Sequence, residues 1–283
     1  MPLIQSSRPS PGMERFVHSY VQREVQLGLP SFLHPLPART ASAIVFEFRD
    51  PVGIATLGTP LLRTAERITL VGSKTYQRSQ LLVRGNSESF SIFLQPTAIA
   101  HLFGMPAFEI TNCDCAAEGV IGVAVLEFGQ RLGNANTFQR RVQIADEFFV
   151  RQSFRAPAPD SIELAANEII RTQGRCRIDS LAHHTGLGMR SFQRTFQRRV
   201  GVSPKLYSRI ARFETALRAK VCAPQLSWTT IAHEFGYHDQ MHMIHDFQQL
   251  SGETPTGILG STAEIFAQQL GSAINPDPSQ LVL

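Results

Sequence analysis

The chain has no run of about 18 apolar residues, so nothing in it reads as a membrane-spanning helix. Its start, Met-Pro-Leu-Ile-Gln-Ser-Ser-Arg-Pro, lacks the apolar core of a signal peptide, and a cytoplasmic protein is expected. Four cysteines (Cys113, Cys115, Cys176, Cys222) among 283 residues are too few for a disulfide framework. Cys113-Asp-Cys115 is spaced too tightly for a disulfide and has no partner pair for zinc, so free thiols are expected. No phosphate-cradling glycine loop or nucleophile elbow is present. His18, His34 and His101 are scattered, and neither a metal nor a cofactor is predicted. Finally, no Lys or Arg follows Lys220, while six acids do.

That last absence has a counterpart. The overall charge is +4, yet residues 171–220 hold 12 Lys and Arg against only Asp179 and Glu214. A dense basic block is the footprint expected of phosphate contacts. It overlaps a repeat. Leu181-Ala182-His183-His184-Thr185-Gly186 precedes Phe192, Phe196, Gly201 and Ser203-Pro204, while Ile231-Ala232-His233-Glu234-Phe235-Gly236 precedes Met243, Phe247, Gly252 and Thr254-Pro255. Each copy reads as a short helix, a glycine that ends it, and a second helix with apolar residues four apart. Two helices joined by a short turn make a helix-turn-helix, whose second helix suits a major groove. Its expected core is Leu181, Ala182, Gly186, Phe192 and Phe196 in the first unit, and Ile231, Ala232, Gly236, Met243 and Phe247 in the second. Ser203-Pro204 starts a linking helix to about Val221, where Pro224 blocks continuation.

A length of 283 residues suits two domains. Residues 1–12 are polar and Pro-rich, and disorder is expected there. Glu14–Val25 reads as a strand or a helix, with strand preferred, and Ala43–Phe48, Ile54–Leu57, Arg67–Gly72, Leu81–Arg84 and Glu88–Gln95 read as strands. Thr97 can cap a short helix that Gly104 ends, and 117–132 and 138–152 read as amphipathic helices. Phe46, Phe48, Phe90 and Phe93 could line a pocket, although core packing is the commoner role for such residues. The expected fold is therefore an α+β amino-terminal domain, a small antiparallel sheet or barrel plus helices. An all-α domain of two helix-turn-helix units joined by a linker helix follows it. The Pro-rich stretch Arg155–Pro159 sets the boundaries: 1–155 as an effector or dimerisation domain, 156–260 as the DNA-binding domain, and 261–283 as a tail.

The first recognition helix buries Phe192 and Phe196, which leaves Arg190, Gln193 and Arg194 outward near its start. Arg can fork onto guanine and Gln onto adenine, so these three are the expected base readers. Arg198, Arg199 and Lys205 are the expected phosphate contacts. The second recognition helix has no basic residue, and Asp246 would oppose DNA if it faced outward. His238, His242 and His245 could share one helix face as a zinc site, though a DNA-facing helix start is the preferred reading.

Residues 160–259 resemble the DNA-binding domain of the AraC/XylS family of bacterial transcription regulators. The resemblance lies in Leu181-Ala182, Gly186, Phe192-x-x-x-Phe196, Gly201-x-Ser-Pro204, Tyr207, Arg212-x-x-x-Ala216, Ile231-Ala232, Phe235-Gly236-Tyr237, Phe247 and Gly252-x-Thr-Pro255. It implies a regulator that binds double-stranded promoter DNA under control of its amino-terminal half. It also implies that Gln240, Ile244 and His245 read bases. RNA polymerase, an unknown small-molecule effector and a second copy of the chain are admitted as further partners. Ile258-Leu259 departs from the family, which usually ends aromatic-Arg there. The competing reading is a small-molecule-binding protein or enzyme with a vestigial helix-turn-helix region, which the basic first unit opposes.

Overall fold

In a computed structural model of the protein, residues 3–25, 31–77 and 79–259 are described, apart from the side chain of Phe32. Along these residues run β1 (Leu3–Ser7), β2 (Val17–Val25), β3 (Phe32–Pro35), β4 (Ala43–Glu47), β5 (Gly53–Thr56), β6 (Leu62–Thr64), β7 (Ile68–Val71), β8 (Ser79–Val83) and β9 (Ser87–Leu94). Helix α1 (Ala98–Phe103) follows, then a 3₁₀ turn (Ala107–Ile110), β10 (Asp114–Ala116), α2 (Glu118–Ile121), α3 (Ala124–Gly133) and α4 (Phe138–Ser153). The carboxy-terminal half is helical: α5 (Ser161–Arg171), α6 (Ile178–His184), α7 (Met189–Val200), α8 (Pro204–Cys222), α9 (Trp228–Glu234) and α10 (Gln240–Ser251).

The strands form two antiparallel sheets, ordered β1-β2-β9-β4-β7-β10 and β3-β8-β5-β6. Side chains alternate along a strand, and this alternation builds the layers. Ile44 and Phe46 of β4 lie opposite Ile92 and Phe90 of β9 and are buried in one cluster with α1, α3 and α4. Phe46 meets Phe128 of α3 edge-on at 5.1 Å. The intervening residues, Val45 and Glu47 of β4 with Ser89, Ser91 and Phe93 of β9, turn to the other face and line a cavity between the sheets. Of the four aromatics, Phe46 and Phe90 are thus core, Phe48 packs against that core, and Phe93 lines the cavity. Arg141 ties α4 to the sheet through Glu88 at 2.5 Å and Gln22 at 2.8 Å, so its buried charge is paired.

Several expectations need correction. Residues 3–7 are not disordered but form β1, paired with β2 from Leu3↔Glu24 to Ser7↔Tyr20. The helix expected over 117–132 is two, broken at Gly122, which has φ +85° and so suits glycine. Thr97 stands at the start of α1 but makes no side-chain capping bond, whereas Gly104 ends it in a left-handed conformation as expected. Strands β3, β6 and β10 were not anticipated; each has three or four residues. The tail expected from Gly260 onward lies outside the described residues.

Candidate nucleic-acid interface

Asp160 opens the helical half by accepting hydrogen bonds from the amides of Ile162 and Glu163, which satisfies two donors at the start of α5. Helices α6 and α7 then make the first unit. Leu181, Ala182, Phe192, Phe196 and Val200 join Ile162, Ala166 and Ile169 of α5 in one buried cluster. Helices α9 and α10 make the second, with Ile231, Ala232, Met243, Phe247 and Leu250 in another. Helix α8 serves both: Tyr207 and Ala211 enter the first cluster, and Ile210, Phe213, Ala216 and Leu217 enter the second. Gly186 and Gly236 are exposed at φ +71° and +70°. They are turn residues rather than core, a correction that follows from the left-handed backbone each turn requires.

The recognition helices differ at their amino ends. Helix α7 starts at Gly188, which offers no side-chain cap, so its first amides are available to an anion. Helix α10 starts at Asp239, whose carboxylate accepts from the His242 amide at 2.7 Å and is thereby held below its ordinary range, helped by His238. An acid already occupies the place a phosphate would take.

A helix-turn-helix domain family matches residues 181–260. That span is an AraC-type helix-turn-helix domain, a DNA-binding module of transcription regulators. A domain of unknown function (DUF6597) matches residues 5–116. No curated protein matches the chain. Among solved structures it is similar to ToxT from Vibrio cholerae O395 at 11% identity, covering 89% of this chain and 95% of that one with a TM-score of 0.45. Unsaturated fatty acid bound wild-type ToxT from Vibrio cholerae strain SCE256 is similar at 10% identity, with coverages of 92% and 95% and a TM-score of 0.46. Vicilin from Corylus avellana is similar over 33% of this chain and 28% of its own, at 16% identity and a TM-score of 0.25.

On the AraC-type domain, α7 exposes Arg190, Gln193, Arg194 and Arg198 together, with Gln197 beside them. Gln197 was missed by sequence reasoning, although it lies four residues from Gln193 and the helical period could have found it. Lys205 is exposed at the start of α8. Arg199 is not on this face. It is half-buried and reaches Asp160 at 3.4 Å, so it serves packing more directly than phosphate binding. On α10, Gln240 and His245 are exposed and Ile244 is half-buried. Met241, 70% exposed, was also missed. Asp246, feared as an outward charge, is buried and accepts two hydrogen bonds from Arg209 of α8. Among the described residues no group of three or more His, Cys, Asp or Glu could hold a metal ion, which includes the histidines of α10. No described helix is long and apolar enough to cross a membrane.

The amino-terminal half grips the AraC-type domain at two places. Arg15 forks onto Glu163 of α5 at 2.8 and 2.9 Å, and buried His101 of α1 lies 3.2 Å from the same carboxylate. Burial, outweighing the nearby acids, keeps His101 below its ordinary pKa. The Thr111 hydroxyl donates to the Gly201 carbonyl at 3.0 Å, beside the end of α7. The second grip holds the other unit. The Ala38 amide donates to the Leu250 carbonyl at 2.8 Å, and Thr40 donates to Glu214 of α8 through its amide and its hydroxyl.

Proposed function

We propose that the chain is a sequence-specific regulator of transcription in the cytoplasm of a bacterium, rather than an enzyme. Its two recognition helices, α7 and α10, enter successive major-groove faces of promoter DNA. The observation that carries this reading is the exposed Arg190–Gln193–Arg194–Gln197–Arg198 face of α7, set on a buried aromatic core and joined to a second unit by one continuous helix. At 19 residues α8 is about 28 Å long, close to the roughly 34 Å between successive groove faces. Arg190, Gln193 and Arg194 read base edges, while Arg198 and Lys205 hold phosphates. In the second unit Gln240 and His245 offer hydrogen bonds, and Ile244 with Met241 offers apolar contact to thymine methyl groups. Residues 156–260 are the DNA-binding part, and residues 1–155 tune it in response to a small-molecule effector.

The test is selection of bound sites from a random DNA pool with the full-length protein, repeated with Arg194→Ala. Two half-sites about 10 bp apart are expected. The variant should lose the preference at one or two positions of one half-site and bind the parent site about 5- to 100-fold more weakly. Enrichment of no sequence by the folded protein would overturn the reading.

A further inference from the structure

Where α1 meets α5, four charged groups surround one imidazole. The His101 side chain is 1% exposed, with Nδ1 3.2 Å from Glu163 and Nε2 3.6 Å from Asp160. Neither ring nitrogen makes a hydrogen bond among the described residues. Both carboxylates are already engaged. Arg15, from the turn before β2, forks onto Glu163. Asp160 caps α5 with one oxygen and meets Arg199 of α7 with the other at 3.4 Å. These two acids and two arginines are the charged groups that face the ring, and their charges cancel. An imidazolium would add an unmatched positive charge to a buried cluster.

Burial lowers the His101 pKa from its ordinary 6.5, against the pull of Glu163 and Asp160. The closed joint therefore binds a proton less readily than an opened one, in which water reaches the ring. Closure is fully favoured above pH 6.5 and loses that advantage as pH falls through the lowered value.

The second grip responds the other way. Glu214 is buried against Thr40, with Arg218, Arg39 and Tyr207 facing it, and burial raises its pKa. A carboxyl that holds its proton more tightly in the closed grip is not loosened by acid. Falling pH thus works against one grip alone, the one on the first helix-turn-helix unit.

That grip stands beside the recognition helix. Gly104, Met105 and Pro106, just past α1, form one wall of a cleft whose other wall includes Arg194 and Arg198 of α7. A helix with its side chains is about 10–12 Å across and the major groove about 12 Å wide, so a docked helix fills the groove. A phosphate backbone flanking the groove must then pass along the side of α7 where this wall stands.

Building on the regulator reading above, we propose that the His101 joint is an acid-released latch. Closed at neutral pH, it keeps residues 104–106 against α7 and hinders entry of that helix into DNA. Protonation of His101 parts α1 from α5 and clears α7, while the grip of Thr40 on Glu214 keeps the two halves together.

The test compares the full-length protein with His101→Gln, which has no titrating ring, at about pH 7.5 and about pH 5.5. In the wild type the His101 ring is first titrated by NMR. Its midpoint should lie below 6.5, and a midpoint at or above 6.5 overturns the proposal whatever the variant does. Hydrogen-exchange protection, corrected for the intrinsic effect of pH, should fall at least about threefold on acidification for amides of residues 98–110. It should hold steady at the amides of Ala38 and Thr40, which bond Leu250 and Glu214, and at both grips in His101→Gln. No loss at residues 98–110, an equal loss at both grips, or the same loss in the variant overturns the latch.

Binding to the selected DNA site is then measured at constant salt. Acid should strengthen wild-type binding at least about threefold more than it strengthens His101→Gln. The exposed histidines His238, His242 and His245 are common to both proteins, so their titration cancels in this comparison. Equal gains in the two proteins overturn the coupling to DNA. The regulator reading fails separately: absence of DNA selection leaves NMR and exchange to judge the joint, and a joint indifferent to acid leaves the DNA selection intact.

Discussion

Asp246 is 2% exposed and receives the Arg209 guanidinium at 2.7 and 3.2 Å, so its charge is spent inside the second unit. Asp246→Ala should destabilise the protein by about 1–3 kcal/mol in a denaturant titration, because a buried charge-assisted bond is lost. It should leave the salt dependence of DNA binding unchanged. Arg198 has the opposite signature. Arg198→Ala should weaken binding to all sequences alike and reduce the magnitude of the salt slope by about 1. A slope identical to wild type would remove Arg198 from the DNA contacts. Glu47 makes a pH prediction. Its folded-state pKa, raised by burial from 4.5 to about 7, means the folded protein holds this proton more tightly than the unfolded chain does. Stability tied to Glu47 is therefore full at low pH and declines as pH rises from about 4.5 through 7, by about 3 kcal/mol in all. Glu47→Gln abolishes that decline. The variant's stability relative to wild type should grow across this window, and a constant difference would count against the assignment.

Among the elements, the turn from α5 into α6 combines a left-handed backbone with a close approach to a neighbouring helix. Gly174 has φ +72°, and a Cβ there would stand 2.0 Å from the Ser208 carbonyl oxygen of α8. Gly174 also accepts from the Ser208 hydroxyl and from Arg212, so backbone and linker helix are locked together. Gly174→Ala should lower stability by about 3 kcal/mol or more through combined strain and overlap, read as a fall in thermal midpoint. The long elements were legible in the sequence because their periods are strong: two along β4 and β9, nearly four along α7. The short ones were not. β6 and β10 have three residues each, too few to show a period, and they exist because a neighbour offers a free edge. β1 was missed for a related reason, since its polar Gln-Ser-Ser sequence is held by its ladder with β2 rather than by burial.

For the whole molecule, the exposed basic face of α7 was visible in the sequence and the cavity was not. A recognition helix is a local pattern, whereas the chamber assembles Arg23, His34, Arg39 and Glu47 from separate strands and a loop, so no spacing along the chain announces it. The grips of the amino-terminal half were equally hidden, because Arg15 and Glu163 lie 148 residues apart. They have a consequence for dissection. A fragment spanning 156–260 loses Ala38 from its second core and Thr40 from Glu214, and it should melt at a lower temperature than the full chain. An equal melting temperature would mean that these contacts do not stabilise that half. Within that fragment α8 sets a further limit. The sequence repeats, but one helix supplies both cores, with Tyr207 and Ala211 on one side and Ile210, Phe213 and Leu217 on the other. The duplicated reading head is therefore not a duplicated folding unit. Neither copy can be cut out, transplanted or doubled again without taking the shared helix with it. Any diversification of the two exposed faces must proceed by changing residues on α7 and α10, not by exchanging modules.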